Sequence, residues 1–263
     1  MTRRGAALLL ALWLVTLLGT VTGVGLGFLR TGFDASRNRL GLVRATWARE
    51  GCAELLQARY ADSAGPGQLL RAGRLDSVAL GPSLWCRAEW EDPGTRVQLN
   101  LAPPEDLEAL FGDSLVARAV LGARPLPAVE ALWWRLRLDS ARLAPVVSLV
   151  TVRGDGRINL LHAPAAVLRL LPGADPAVVT TLLEARDGAA WTTVDQMISS
   201  LPSALQTPLL AHYDRLSRVA AFQPSELTVR VEGAAGAVPL RSTAMLTVIP
   251  AEGRLAVVRR EDQ

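Results

Sequence analysis

The sequence predicts an α+β protein: a long N-terminal helix packed on a C-terminal antiparallel sheet, with a helical region inserted between them. Three observations predict it. Residues 5–29 form an uncharged apolar run that continues without a proline into an amphipathic segment. Mid-chain, an extended stretch ending in Ala-Pro occurs twice, each time followed by leucines at helical spacing. From Ser225 the apolar residues alternate, as in a half-buried strand. With 263 residues the chain can build one or two modest domains.

The apolar run is bounded by Arg3 and Arg4 before it and Arg30 after it. As a helix it would reach about 37 Å at 1.5 Å per residue, enough for a hydrocarbon core of about 30 Å. The basic flank places Met1–Arg4 in the cytoplasm and the chain beyond Arg30 outside. A cleaved signal is the competing reading, but its apolar region is about 7–15 residues and ends in polar chain. Here Gly23, Gly25 and Gly27 are mixed with Val24, Leu26 and Phe28, which favours an anchor. In Asp34–Tyr60, spacings of three and four put Leu40, Val43 and Trp47 on one stripe of an amphipathic helix. Gly32 and Gly41 are the places where a continuous helix could bend.

Residues 61–82 contain Gly, Pro and Asp and read as a connection, Leu84–Trp90 as a short strand burying Trp85, Cys86 and Trp90, and Glu91–Gly94 as a turn. Arg96–Pro103 then aligns with Arg157–Pro164, and Leu107, Leu110 and Gly112 with Leu168, Leu171 and Gly173. Pro103 and Pro164 suit a first helical turn, where a missing N–H costs nothing. These are two small helical units. In the second, Pro164–Leu170 and Ala177–Arg186 read as helices joined by a tight turn, with Asp175 as N-cap and Pro176 at the first position. Thr193–Ile198 and Thr207–Leu216 read as two more. This order resembles helix-hairpin-helix and SAM-like domains. A hairpin that grips DNA offers N–H groups to phosphate through Gly-x-Gly; Gly173, Ala174 and Asp175 lack the second glycine and add a carboxylate, which favours a packing role.

At the carboxyl end Leu227, Val229 and Val231 alternate with Thr228, Arg230 and Glu232. Gly233–Gly236 reads as a turn, Ala237–Ile249 as a long strand, Pro250–Gly253 as a turn and Arg254–Arg260 as a returning strand. One face of this meander needs a cover, which the amphipathic half of the first helix can supply.

The chemistry-bearing residues exclude more than they suggest. A net charge of +3, spread without a block, implies neither a nucleic-acid tail nor a general DNA-binding surface. The chain contains no Lys, which removes Schiff-base chemistry. Two His and two Cys leave no four-ligand zinc spacing. His162 lies beside a helix start and His212 in a predicted helix with Leu209, Leu210 and Leu216, both ordinary structural positions. There is no Gly-x-Ser-x-Gly, His-Glu-x-x-His or phosphate loop. Glu89, Glu91 and Asp92, and the pair Glu105 and Asp106, lack EF-hand spacing and read as a solvated turn and a helix start. Cys52 and Cys86 are either a disulfide, worth about 3–4 kcal/mol if the domain lies outside the cytoplasm, or two buried small apolar side chains.

Arg4–Trp13, Arg157–Pro164 and the closing strands ending at Arg259-Arg260-Glu261 together resemble the GspK family, the minor pseudopilins called general secretion pathway protein K in type II secretion systems. The resemblance covers nearly the whole chain. It implies a pilin-like fold: a leader at 1–5, a transmembrane helix at 6–29, the rest of the long helix and first strand at 30–95, a SAM-like insert at 96–218 and the terminal sheet at 219–263. It also implies cleavage by prepilin peptidase after Gly5 and N-methylation of Ala6. Most pseudopilins carry Glu at the fifth mature position; this chain has Leu10, as K subunits do, and offers no carboxylate to a neighbouring amino terminus, which suits the tip.

Other positions depart from the family. Its acidic Asp-Trp-x-Asp-x-Asp segment has no match; Val129–Asp139, with Trp133 and Trp134, stands in its place. Calcium, which the family binds, therefore has no ligands assigned here, and no other cofactor is implied. Gln98 and Leu161 replace asparagines, which should weaken local turn bonding. The implied function is non-enzymatic: a minor pseudopilin at the pseudopilus tip that helps start assembly and protein export. Implied partners are GspI-like and GspJ-like pseudopilins, prepilin peptidase and the inner-membrane secretion platform, with no nucleic acid. The implied location is the bacterial inner membrane, single-pass, with a periplasmic domain. Two alternatives stand beside it: a membrane-anchored helix-hairpin-helix DNA receptor, and an anchored hydrolase using acidic residues.

Overall fold

The structure, a computed structural model, describes residues 3–62, 73–138, 140–188, 190–251 and 254–262, and only the backbone of 3–10, 140 and 142. It has the predicted α+β architecture. Helix α1, Arg3–Asp62, is unbroken, because no proline enters it and its glycines do not interrupt it. Residues 11–40 are exposed along their whole length, and among the described residues the first buried side chain is Ala45. Gly41, one of the positions where a bend could fall, allows close contact with Leu240.

Five strands form one sheet in the order β1-β2-β7-β8-β9, all neighbours antiparallel: β1 Arg74–Gly81, β2 Leu84–Glu91, β7 Leu227–Ala235, β8 Leu240–Ala251 and β9 Arg254–Asp262. β1 falls in the stretch expected to be a connection. Its register slips between Leu75 and Val78 and again between Ala79 and Gly81, so its apolar residues never alternate cleanly. Gly233, expected in a turn, lies inside β7, and the β7–β8 turn falls at residues 236–239. An added Cβ at Gly233 would collide with the backbone of Ala45 and Arg49, so the glycine is what brings sheet and helix together. Ala45, Ala48, Cys52, Leu56 and Tyr60 of α1 share a core with Ala88, Trp90, Val229, Val231, Ala244, Leu246 and Val248 or touch the adjoining backbone.

The chain leaves the sheet after Glu91 and returns at Leu227, the end opposite the β7–β8 turn that meets Gly41. Between them lie β3 Val97–Gln98, α2 Pro104–Phe111, α3 Ser114–Gly122, α4 Ala131–Trp134, α5 Ser140–Val147 and β4 Val150–Thr151. A second series follows: β5 Ile158–Asn159, α6 Ala165–Leu168, α7 Pro176–Ala185, α8 Val194–Ser200, α9 Ser203–Leu210, α10 Tyr213–Val219 and β6 Ala220–Ala221. The single helix expected over Thr207–Leu216 is thus two helices, with Ala211 and His212 between them, His212 at the N-cap position of α10.

The duplication extends beyond what the sequence shows. Each series opens on a strand that pairs in parallel with its own closing strand, β3 with β4 and β5 with β6. Pro103 and Pro164 occupy equivalent N-cap positions in extended conformation; Gly112 caps the first helix of its series at φ 64°, while Gly173, at φ 77°, lies in the turn beyond α6, which is already capped at Arg169. Arg124 and Arg186 each donate to the carbonyl before the repeated proline, at Ala102 (2.6 Å) and Ala163 (2.8 Å). The two series share one core, in which Leu99 and Leu160, and Leu107 and Leu168, are equivalent buried pairs, so they form one folded body. Each such leucine contributes about 1.5–3 kcal/mol of burial.

Candidate interaction site

Two places concentrate structure that the fold alone does not require. One is the outer face of α1. Sheet contact uses the stripe of Gly41, Ala45, Ala48, Cys52 and Leu56, spaced by three and four. Leu40, Val43 and Trp47 lie on the opposite side and are 53%, 48% and 71% exposed. The other is the junction between sheet and insert. Asp92, just beyond β2, accepts from Gly94 N at 2.8 Å and from Asn159 Nδ2 at 2.6 Å, while Asn159 Oδ1 accepts from Leu161 N at 3.1 Å. Burial raises the Asp92 carboxyl above its ordinary value, opposed by the bonds from Asn159 and Gly94. The insert is also tied to the sheet by Gly154 N donating to Glu226 at 2.8 Å.

The position equivalent to Asn159 is Gln98, and it corrects the expectation of weakened turns. Its Oε1 accepts from the N–H groups of Asn100 and Leu101, the second at 3.2 Å, so the longer amide performs the same turn closure. Asn100 then bonds both ways to the Leu126 backbone, at 2.7 and 3.0 Å. At the equivalent Leu161 no amide is present, and the side chain packs on the insert core instead.

The hairpin helix N-termini are capped by side chains. Asp175 Oδ1 accepts from Val178 N at 2.8 Å, Asp113 caps Leu115 N at 2.8 Å, and Gly173 sits against the carbonyl of Pro208. The helix N-termini that a phosphate would approach already carry carboxylates.

Of the acidic candidates, Glu91, Glu105 and Asp106, like Asp92, are committed to other bonds, while Glu89 is exposed on β2. Glu91 pairs with Arg96 at 3.2 Å, and Arg215 holds Glu105 at 3.1 Å and Asp106 at 3.0 Å. Asp106 is raised by burial, with Arg215 opposing. Among the described residues no group of three or more His, Cys, Asp or Glu is placed to hold a metal ion. An open groove of about 530 Å³ runs past Arg157, Asp195, Tyr213 and Phe222; it contains one carboxylate, Asp195, bonded to the Tyr213 hydroxyl at 3.0 Å, and neither histidine.

Cys52 on α1 and Cys86 on β2 are bonded, with Cα atoms 5.7 Å apart. Gly5, Ala6 and Leu10 lie in the helical backbone of α1, while their side chains, like Met1 and Thr2, lie outside the described residues. Asp139 of the Val129–Asp139 segment lies outside them too, and the segment's core is the short helix α4.

A long helix, exposed and apolar in its first half and laid on an antiparallel sheet in its second, defines the fold class. Within that class the chain is similar to a chain in the crystal structure of the GspK-GspI-GspJ complex from the type 2 secretion system of enterotoxigenic Escherichia coli. The TM-score is 0.60 at 14% identity, over 87% of this chain and 99% of that one. No family model and no curated protein sequence matches.

Proposed function

We propose that this chain is a non-enzymatic minor pseudopilin of a type II secretion system, placed at the pseudopilus tip, where it helps start assembly. The observation that carries the reading is the similarity across 99% of a chain from a complex of three pseudopilin-type subunits. Two features of the molecule support the tip position. The insert projects from the end of the sheet remote from Gly41, hence from the apolar half of α1, and adds bulk where a following subunit would stack. Leu10 offers no carboxylate to a neighbouring amino terminus.

On this reading 1–5 is a leader, 6–29 crosses the inner membrane, and the insert of 96–218 interrupts a pilin-like domain formed by 30–95 and 219–263. Prepilin peptidase cuts between Gly5 and Ala6, and Ala6 is then methylated. The Cys52–Cys86 bond suits an oxidising periplasm. The exposed Leu40, Val43 and Trp47 side of α1 receives the corresponding helices of GspI-like and GspJ-like partners. Nucleic acid has no place in it, since the hairpin N-termini are capped by Asp113 and Asp175.

Cysteine crosslinking along 37–59 in cells expressing the other minor pseudopilins tests the reading. Crosslinks to those subunits from positions 40, 43 and 47 are expected. Repeated self-crosslinks, or no partner at all, would refute it. Intact mass of the extracted protein tests processing separately: the chain should begin at methylated Ala6, and Gly5→Leu should leave it uncut.

A further inference from the structure

Beyond the partner face of α1, a second surface lies on the side toward the membrane. Arg30, Arg37 and Arg44 recur at intervals of seven, so they share one flank of α1. That flank lies between the sheet-facing stripe begun by Gly41 and Ala45 and the exposed side of Leu40, Val43 and Trp47. All three arginines are exposed, and among the described residues none forms an ion pair or side-chain hydrogen bond. Asp34 is the one acidic residue between positions 30 and 44, against Arg30, Arg37, Arg39 and Arg44.

The domain overhangs these charges. Leu240 meets Gly41, Ser242 meets Thr46 at 3.4 Å and the Thr243 carbonyl meets Arg49, so β8 climbs α1 away from the apolar run as its numbers rise. The β7–β8 turn preceding Leu240 therefore points back toward the membrane. Its tip, Val238, is 85% exposed beside Ala237 and Pro239. Gly41 lies about 18 Å along the axis from Leu29, and the turn reaches back about 6 Å from Leu240. The remaining gap of about 12 Å includes a headgroup layer of about 5–7 Å, and a helix tilt of about 20° narrows it further.

We infer that this underside, the arginine flank of α1 together with the Val238 turn, rests on an anionic phospholipid surface. Charge complementarity and continuity with the apolar helix select lipid as the occupant: arginines beside a bilayer gain from phosphate-rich headgroups, and one apolar tip adds shallow insertion. The inference depends on α1 spanning the membrane and not on the secretion assignment.

The test uses the full chain reconstituted in vesicles, with Val238→Cys carrying an environment-sensitive fluorophore. Emission should shift to the blue and rise roughly two-fold when about one third of the phosphatidylcholine is replaced by phosphatidylglycerol. The gain should vanish in about 1 M NaCl, where the screening length is about 3 Å. It should also vanish in Arg30→Gln/Arg37→Gln/Arg44→Gln. Equal emission in both lipids, the result expected if the arginines serve an acidic protein partner, overturns the inference; so does a gain indifferent to salt. A label at Leu18→Cys, blue-shifted in both lipids, shows that the helix is inserted; an exposed label there would sink the membrane reading and this inference with it.

Discussion

Replacing Gly233 by Ala should separate the sheet from the helix that covers it. The added methyl would meet the carbonyl oxygen of Ala45 and the amide nitrogen of Arg49, backbone atoms that no rotamer change can move. Overpacking costs about 1–3 kcal/mol where side chains can yield, so a rigid neighbour on both sides puts this site near 3. Ala is intrinsically better than Gly in a strand by about 0.5–1 kcal/mol, leaving a net loss of about 2 kcal/mol. For a protein of this size that corresponds to a fall in Tm of about 4–8 °C. Urea titration of the detergent-solubilised chain, followed by tryptophan fluorescence, measures it. Gly41→Ala is the matched control on the same interface: its neighbour is the terminal methyl of Leu240, which can rotate away. The gain of up to about 1 kcal/mol in helix propensity then offsets the crowding. A loss below about 1 kcal/mol for Gly233→Ala, or equal losses at both glycines, would refute the claim that close backbone approach at Gly233 sets the packing.

Reducing the Cys52–Cys86 bond, which closes a separation of 34 residues, should lower stability by about 4 kcal/mol in the chain-entropy account. Intact mass before and after reduction, paired with the urea midpoint, checks it; two free thiols in unreduced protein would contradict the bond. Asp92→Ala leaves Gly94 N and Asn159 Nδ2 without an acceptor and should cost about 2–5 kcal/mol, with proteolysis increasing between sheet and insert. Because burial raises the folded-state pKa of Asp92, the group's contribution is fully present below its unfolded value and declines as pH rises through the folded one. Asp92→Asn, which cannot ionise, should abolish that decline in pH-dependent urea midpoints, and an unchanged slope would show that another carboxyl is responsible.

The large divisions of the fold were legible because each rests on a period the chain keeps over many residues. The apolar run, the stripe of Leu40, Val43 and Trp47 and the alternation from Leu227 are such periods. What escaped was set by single contacts. β1 is bulged twice and so shows no alternation. Gly233 reads as a turn residue because Gly233–Gly236 holds two glycines, and only the approach of α1 explains one of them inside a strand. The break at His212 is not announced by any proline or glycine between Pro208 and Val219.

The exposed stripe on α1 shows the limit of amphipathicity as a guide to packing. Amphipathicity says that a helix has an apolar face; it does not say what covers it. Here the sheet takes the opposite face, where Gly41, Ala45 and Ala48 are too small to register as an apolar stripe yet allow backbone contact. The large residues that make the periodicity visible are therefore the ones left over. A side chain such as Trp47, 71% exposed on a helix beyond its apolar run, is a better guide to an external partner than to the core. The same argument runs in reverse at the junction: Asp92 looks like part of a solvated acidic turn, but its bond to Asn159 crosses 67 positions and fixes the insert against the sheet. The end so formed is remote from the apolar run of α1, so the insert and the exposed Leu40, Val43 and Trp47 lie apart on the molecule.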